Sequence, residues 1–80
     1  MKAEVRIELK KGVADPEGDN TKKALTLLGF GEVRGVRSIK VFEIDVRGTE
    51  KAVRGRVEEM CQRLLANPVI HNYRVTFRKD

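Results

Sequence analysis

The chain has 80 residues, 36% of them charged, and 17 lysines and arginines against 12 aspartates and glutamates give a formal net charge of +5. The single cysteine excludes an internal disulfide and fits a reducing compartment, and no apolar run approaches the roughly 20 residues of a membrane span or the core of a signal peptide. We therefore expect a cytoplasmic protein without membrane contact, made of one domain that spans residues 1–80. A domain this small buries only about 60% of its unfolded surface, so we expect self-association to add stability.

A strand is predicted at the start of the chain. Apolar residues alternate with charged ones over residues 2–10, which is the period of a strand with one buried face and one wet face. The apolar positions are Ala3, Val5, Ile7 and Leu9.

A helix is predicted next. Asp15 is a suitable N-cap, and Pro16 fits the first helical position, where a missing N–H has no consequence. At the other end, Gly29 can adopt the left-handed conformation just past the helix. This lets Phe30 turn back on Leu25 in a Schellman-type stop.

The extended stretch over residues 32–46 changes phase. The first apolar pair on one side is Ile39 and Val41, and the next set, on the other side, is Phe42, Ile44 and Val46. Three arrangements fit: a strand with a bulge or bend near Val41, a hairpin broken around Gly35, or one long strand whose two faces are covered by different chains. The sequence does not choose among them.

A second helix follows, with Thr49 as its expected cap. Its apolar stripe recurs in steps of three and four residues at Val53, Val57, Met60, Cys61 and Leu64. Pro68 biases Asn67 away from helical dihedrals, so the helix should end there. A last strand should begin at once with Val69 and Ile70. One of its faces should carry His71, Tyr73, Val75 and Phe77, and the other Asn72, Arg74, Thr76 and Arg78.

The predicted order of strand, helix, extended region, helix and strand defines an α+β fold, a small two-layer structure with both helices on one face of a sheet. Two helices cover only one face, so we expect apolar sheet surface and unpaired strand edges to remain exposed. A homodimer or a higher even-numbered oligomer would cover them.

No catalytic, cofactor or metal site is evident among the residues able to form one. His71 has no plausible partner, and Cys61 lies on an apolar helix stripe, where a thiol acts as a small hydrophobe. The glycines at 29, 31 and 35 end a helix, whereas a phosphate-binding loop opens one. Asp15, Glu17 and Asp19 are the residues that a helix N-terminus favours, so we interpret them as capping groups and not as a cation site.

The basic excess makes nucleic acid a partner to consider. The charges are interspersed with acidic residues, however, and no segment resembles an RNA-recognition motif. Tyr73 and Phe77 share a strand face, while Phe30 and Phe42 are expected in the core. A small basic RNA-binding α+β module is therefore the alternative hypothesis, and nucleic acid is not the partner we favour.

Three segments together resemble one family. They are L-K-K-G-V-A-D-P-E-G over residues 9–18, A-L-T-L-L-G-F over 24–30 with Val33 and Val36-Arg37 after it, and E-M-C-Q-R-L-L-A-N-P-V-I-H-N-Y over 59–73. The chain resembles the PurS family, the small subunit of phosphoribosylformylglycinamidine synthase in the purine pathway. It departs from the family pattern at Ala14 and at Ser38-Ile39-Lys40.

The resemblance implies an accessory subunit. In the family, a glutaminase subunit releases ammonia from glutamine, and a large synthetase subunit uses ATP and Mg to activate formylglycinamide ribonucleotide for attack by that ammonia. The small subunit joins the two and holds no catalytic residue, cofactor or metal of its own. The positions expected at partner interfaces are Arg37 and Lys40 on the extended region and Asn67 and Tyr73 near the end of the second helix.

Overall fold

The computed structural model describes residues 1–79, which form three strands, two α-helices and one π-helix. In chain order these are β1 (Lys2–Leu9), α1 (Pro16–Leu27), β2 (Lys40–Asp45), α2 (Glu50–Met60), the π-helix (Cys61–Leu65) and β3 (His71–Arg78). The strands form one antiparallel sheet in the order β2-β1-β3. The predicted α+β class is confirmed, with a single strand in the place of the extended region.

Only part of the extended stretch pairs as a strand. β2 runs beside β1 in one continuous register, from Lys2 opposite Asp45 to Ile7 opposite Lys40, so it contains no bulge near Val41. Residues 31–39 contain no strand, which removes a hairpin around Gly35 within this chain. The apparent change of phase arises because Ile39 lies outside the strand and Val41 lies on the outer face of the sheet, where it is 51% exposed.

The core lies between β1 and the helical segment that begins with α2. Ala3 and Val5 of β1 are fully buried, as are Val57 and Cys61 on the opposing helices. The flanking strands contribute half-buried residues that pack against this cluster, namely Phe42 and Ile44 from β2 and Tyr73, Val75 and Phe77 from β3. The buried face predicted for β1 is thus confirmed, and the face of β3 that Tyr73, Val75 and Phe77 share is the one that packs on the core.

A π-helix breaks the apolar stripe predicted for the second helix. The Ala66 N–H donates to the Cys61 carbonyl oxygen at 2.9 Å, five residues back, which widens the turn by one residue. The next buried position after Cys61 is therefore Ala66, and Leu65 is half-buried. Leu64, predicted on the stripe, is 84% exposed, so that prediction is wrong.

Helix α1 stands away from the core. Of its residues only Gly18 is buried, and Leu27 and Leu28 at its far end are 88% and 73% exposed.

The predicted stop is present: Gly29 has a φ of 101°, and the Phe30 N–H donates to the Leu25 carbonyl oxygen at 2.9 Å. Phe30 itself is 47% exposed and outside the core, contrary to expectation, because the helix that carries it projects beyond the sheet. The protein is accordingly elongated, 49 × 28 × 14 Å.

The outer face of the sheet is charged, so the expectation of uncovered apolar sheet is wrong. Alternating residues of the three strands put Glu4, Arg6, Glu43, Arg74 and Arg78 on this face. The exposed apolar residues lie mainly elsewhere, at the end of α1, on the π-helix and in the turn that follows it. Within residues 1–79, no helix is long and apolar enough to cross a membrane.

Candidate functional site

The structure places all four predicted interface residues around the end of β1: Arg37, Lys40, Asn67 and Tyr73. Ile7, near the end of β1, has two Cα partners in the sheet: Lys40 at the start of β2 on one side and Tyr73 of β3 on the other. The Arg37 guanidinium lies 3.1 Å from a carboxylate oxygen of Glu8, the next residue of β1. We call the surface around these residues the β1-end surface.

A depression of about 320 Å³ occupies the β1-end surface. Apolar side chains from three parts of the fold contribute to it: Ile7 and Leu9 of β1, Ile39 and Leu65. Polar groups complete the lining, among them Lys40, His71 and Glu17 from the first turn of α1. An apolar floor with a polar rim is the usual composition of a site that receives another molecule.

The two cations of the β1-end surface are available to a partner. Arg37 and Lys40 are both exposed, and the exposed ion pair between Arg37 and Glu8 contributes little to stability. Within the described part of the chain, the side chain of Lys40 makes a cation–π contact and no ion pair, with its Nζ atom 5.7 Å from the centre of the Phe42 ring. Neither residue is needed to hold the fold together.

Asn67, by contrast, forms hydrogen bonds within a turn through its backbone N–H, its carbonyl oxygen and its Oδ1 atom. Its Oδ1 atom accepts from the Val69 N–H at 3.0 Å, and its carbonyl oxygen accepts from the N–H groups of Ile70 at 3.0 Å and His71 at 2.8 Å. Its own N–H donates to Nδ1 of His71 at 2.8 Å. The prediction that Val69 and Ile70 begin a strand is wrong, because these bonds to Asn67 fold both residues into a turn, a conformation that asparagine favours.

Tyr73 links β3 to α2. Its hydroxyl donates to a carboxylate oxygen of Glu58 at 2.8 Å, and this hydrogen bond is the main cause that raises the pKa of Tyr73 above its ordinary value of 10.0. Cys61 lies nearby and fully buried, and this burial, followed by the charge of Glu58, raises the pKa of its thiol. A buried thiol with a raised pKa is unreactive, which agrees with the predicted role of Cys61 as core filling.

Ser38 is a residue of this surface that the sequence did not reveal. Its N–H donates to Asp15 Oδ2 at 2.8 Å and its hydroxyl donates to Asp15 Oδ1 at 2.7 Å, while Asp15 also caps α1 by accepting from the Gly18 N–H at 3.0 Å. These bonds, first that of the Ser38 N–H and then that of the Gly18 N–H, lower the pKa of Asp15. Asp15 is thus confirmed as the N-cap, and it also ties α1 to the segment that leads into β2.

The aromatic side chains of β3 do not form a platform for stacking bases. Tyr73 and Phe77 face the core, and the guanidinium of Arg54 lies 5.0 Å from the centre of the Phe77 ring. Stacking on exposed aromatic rings is the usual basis of single-strand RNA recognition. In the described part of the chain no group of three or more His, Cys, Asp or Glu residues is placed to hold a metal ion.

The structure is that of a small α+β protein with a three-stranded antiparallel sheet and two α-helices. Residues 2–79 match the family described as PurS, phosphoribosylformylglycinamidine (FGAM) synthase. The chain belongs to the PurS family, and it is a subunit of FGAM synthase in purine biosynthesis.

Three relatives illustrate this membership. The chain is 56% identical to the FGAM synthase subunit PurS of Archaeoglobus fulgidus, over 99% of this chain and all of that one. It resembles the crystal structure of PurS from Methanocaldococcus jannaschii with a TM-score of 0.89 and 48% identity, covering 99% of this chain and 96% of that one. It also resembles a chain in the structure of PurLQS from Thermotoga maritima, with a TM-score of 0.69 and 26% identity over 94% of this chain and 93% of that one.

Proposed function

We propose that this chain is the accessory subunit that joins a glutaminase subunit to a synthetase subunit in FGAM synthase, so that ammonia passes between their active sites. The chain itself supplies no catalytic residue and binds no cofactor. ATP and Mg are used by the synthetase subunit, and the complex works in the cytoplasm. The likeness to a chain of PurLQS, whose name combines three subunits, supports an assembly of this kind.

The observation that carries the proposal is the presence of two apolar surfaces on different elements. One is the β1-end surface, with the exposed Leu64 of the π-helix beside Leu65. The other is the far end of α1, where Leu27 and Leu28 are exposed. Helix α1 starts at the first surface with Glu17, so at 1.5 Å per residue its far end is about 15 Å away. A chain that connects two partners needs two separate contact surfaces of this kind.

There is a chemical need for such a connection. Free amines are largely protonated at neutral pH, as the lysine reference pKa of about 10.4 illustrates, and an ammonium ion has no lone pair for nucleophilic attack. Ammonia released into water would therefore lose its nucleophilicity and be diluted. A subunit that orders the interface between two active sites keeps ammonia neutral and close to its target.

The proposal is tested by comparing two nitrogen sources. The glutaminase and synthetase subunits from the same organism are assayed with and without this chain, first with glutamine and then with a high concentration of ammonium salt. We expect glutamine-dependent synthesis to require the chain. Ammonium-dependent synthesis should need it much less, because excess ammonium leaves enough neutral ammonia to reach the synthetase from bulk water.

Each other result of this assay has a definite meaning. Equal loss with both nitrogen sources would assign the chain to the synthetase active site. No loss with either source would reject the proposed role and leave RNA binding as the alternative, which salt-dependent retention of single-stranded oligonucleotides would reveal.

We further propose that the chain self-associates as a homodimer or a higher even-numbered oligomer. The surfaces that remain for this are the unpaired edges of β2 and β3, because these two strands lie at the two sides of the sheet and its outer face is charged. Sedimentation at micromolar concentration measures the state directly. A stable monomer with a cooperative melt would contradict this part of the proposal.

A further inference from the structure

Two arginines face each other on the outer face of the sheet. Arg6 of β1 and Arg74 of β3 are direct Cα partners, and both are exposed. Like charges directly opposite each other on one face destabilise a strand pair. The chain therefore carries a repulsion at this point that a compensating negative charge would relieve.

The chain itself offers little compensation. Among residues 1–79, the one carboxylate that Arg6 approaches is that of Glu8, at 4.0 Å, which is beyond hydrogen-bonding distance, and Glu8 is closer to Arg37, at 3.1 Å. Within residues 1–79, the side chain of Arg74 takes part in no ion pair or hydrogen bond. Glu4 lies on the same face, one step diagonally from Arg74, and it also makes no ion pair in this part of the chain.

On the same face, a second pair of like charges is bridged by a carboxylate of this chain. Lys2 and Arg78 are also direct Cα partners of like charge on β1 and β3. Glu43 of β2 bridges them, with its carboxylate 3.3 Å from Lys2 and 2.7 Å from Arg78. Among the described residues, no carboxylate bridges Arg6 and Arg74 in this way: Glu43, which is opposite Glu4 and diagonal to both Lys2 and Arg6, pairs with Lys2 and Arg78 instead.

We propose that the Arg6–Arg74 pair receives a carboxylate from a partner protein, which makes the outer sheet face a docking surface distinct from the β1-end surface. The two guanidiniums line a shallow depression of about 230 Å³ together with Glu8 and Asn72. A guanidinium presents a planar fork of N–H donors that pairs with a carboxylate through two parallel hydrogen bonds. The inference rests on the proposed function, because the partner is one of the two larger subunits of the complex.

The rim of the depression favours a protein carboxylate over a free phosphate. Glu8 adds a negative charge that repels a doubly charged phosphate more than a single carboxylate. Asn72, directly opposite Glu8, offers both a donor and an acceptor to the polar groups of a protein surface.

The test compares Arg74→Gln with a matched control, Arg78→Gln. Both variants remove one arginine from the same face of the same strand, but Arg78 is already paired with Glu43. Affinity of each full-length variant for the two larger subunits is measured by titration at several salt concentrations. We expect Arg74→Gln to weaken binding by about tenfold or more, with a smaller salt dependence, and Arg78→Gln to change it by less than about twofold.

A second measurement separates docking from a structural role. Removal of Arg74 relieves the repulsion with Arg6, so the isolated variant should melt at the same temperature as the parent chain or up to about 4 °C higher. A lower melting temperature for Arg74→Gln would show that Arg74 supports the fold, and it would overturn the inference.

The remaining outcomes are also decisive. If the parent chain binds neither larger subunit, the proposed function fails, and this inference fails with it. If the parent chain binds and Arg74→Gln binds equally well, only the inference fails. Equal weakening by both variants would indicate a general effect of net charge, and saturable binding of inorganic phosphate that Arg74→Gln abolishes would indicate a free-anion site; either result overturns the inference.

Discussion

Asp15 and Ser38, 23 residues apart in sequence, are joined by two hydrogen bonds, so the residue that begins α1 also holds the segment that leads into β2. The carboxylate accepts a third bond from the Gly18 N–H. This contact is the main attachment of α1 to the rest of the protein, because the helix buries only Gly18.

Replacing Asp15 with Asn should lower the midpoint of urea unfolding, because an amide has one oxygen to accept the bonds that two carboxylate oxygens accept now. The lowered pKa of Asp15 means that its contribution to stability is present above the ordinary value of 3.8 and is lost as the pH falls through the folded-state pKa. The difference between parent and variant should therefore shrink in acid. Asp19→Asn, in the same helical turn, is the control and should lower the unfolding midpoint by less, because Asp19 is not the N-cap.

The π-helix predicts opposite sensitivities for two adjacent leucines. Leu65→Ala should lower the free energy of unfolding by about 1–2 kcal/mol, because Leu65 packs against the core. Leu64→Ala should change it by less than about 0.5 kcal/mol, because that side chain is exposed. Chemical denaturation measures both values, and a larger loss for Leu64 would mean that the helix continues without the widened turn.

Tyr73 is the only tyrosine and the chain has no tryptophan, so its ionisation can be followed by absorbance without interference. We expect a titration midpoint above 10.0, and Glu58→Gln should move it back towards 10.0 because the charged acceptor of the hydroxyl is gone. A raised folded-state pKa adds stability that is present below 10.0 and lost as the pH rises through the folded value. A midpoint that Glu58→Gln leaves unchanged would contradict the role of this hydrogen bond.

Cys61 should behave as a core residue and not as a reactive group. Cys61→Ala should lower the free energy of unfolding by about 1 kcal/mol through a small cavity, and glutamine-dependent synthesis by the assembled complex should be unchanged. In the parent chain, alkylation of the thiol should be slow in buffer and fast in denaturant. Rapid alkylation of the native protein would show that the helical layer opens readily.

Features set by neighbouring residues could be predicted from the sequence. The alternation along β1, the caps at Asp15 and Thr49, and the stop at Gly29 each depend on a few adjacent positions, and each is present in the structure. The Thr49 hydroxyl, for example, accepts from the Ala52 N–H at 3.3 Å. Such features reflect local backbone preferences, which the rest of the fold does not overrule here.

Features set by distant contacts could not be predicted. The step of three or four residues that defines a helix stripe places Leu64 inside, and nothing in the local sequence indicates that the turn after Cys61 widens. The exposure of Phe30 depends on where α1 points, which its own residues do not determine. Of the candidate site, the sequence indicated Arg37, Lys40, Asn67 and Tyr73. It gave no sign that the sheet register places Lys40 and Tyr73 on either side of Ile7, or that Ser38 bonds to Asp15 nearby.

Helix α1 is held near its first turn, so a small rotation at that point moves its far end by a larger distance. Gly18 is its pivot, because a Cβ atom there would come within 2.4 Å of the Val36 carbonyl oxygen and within 2.7 Å of an Asp15 carboxylate oxygen. The far end of the helix is about 15 Å from this point, so a rotation of only about 5° at the pivot displaces Leu27 by about 1 Å. A single methyl group at Gly18 would thus force Val36 or Asp15 to shift, and it would change the direction in which the whole helix points.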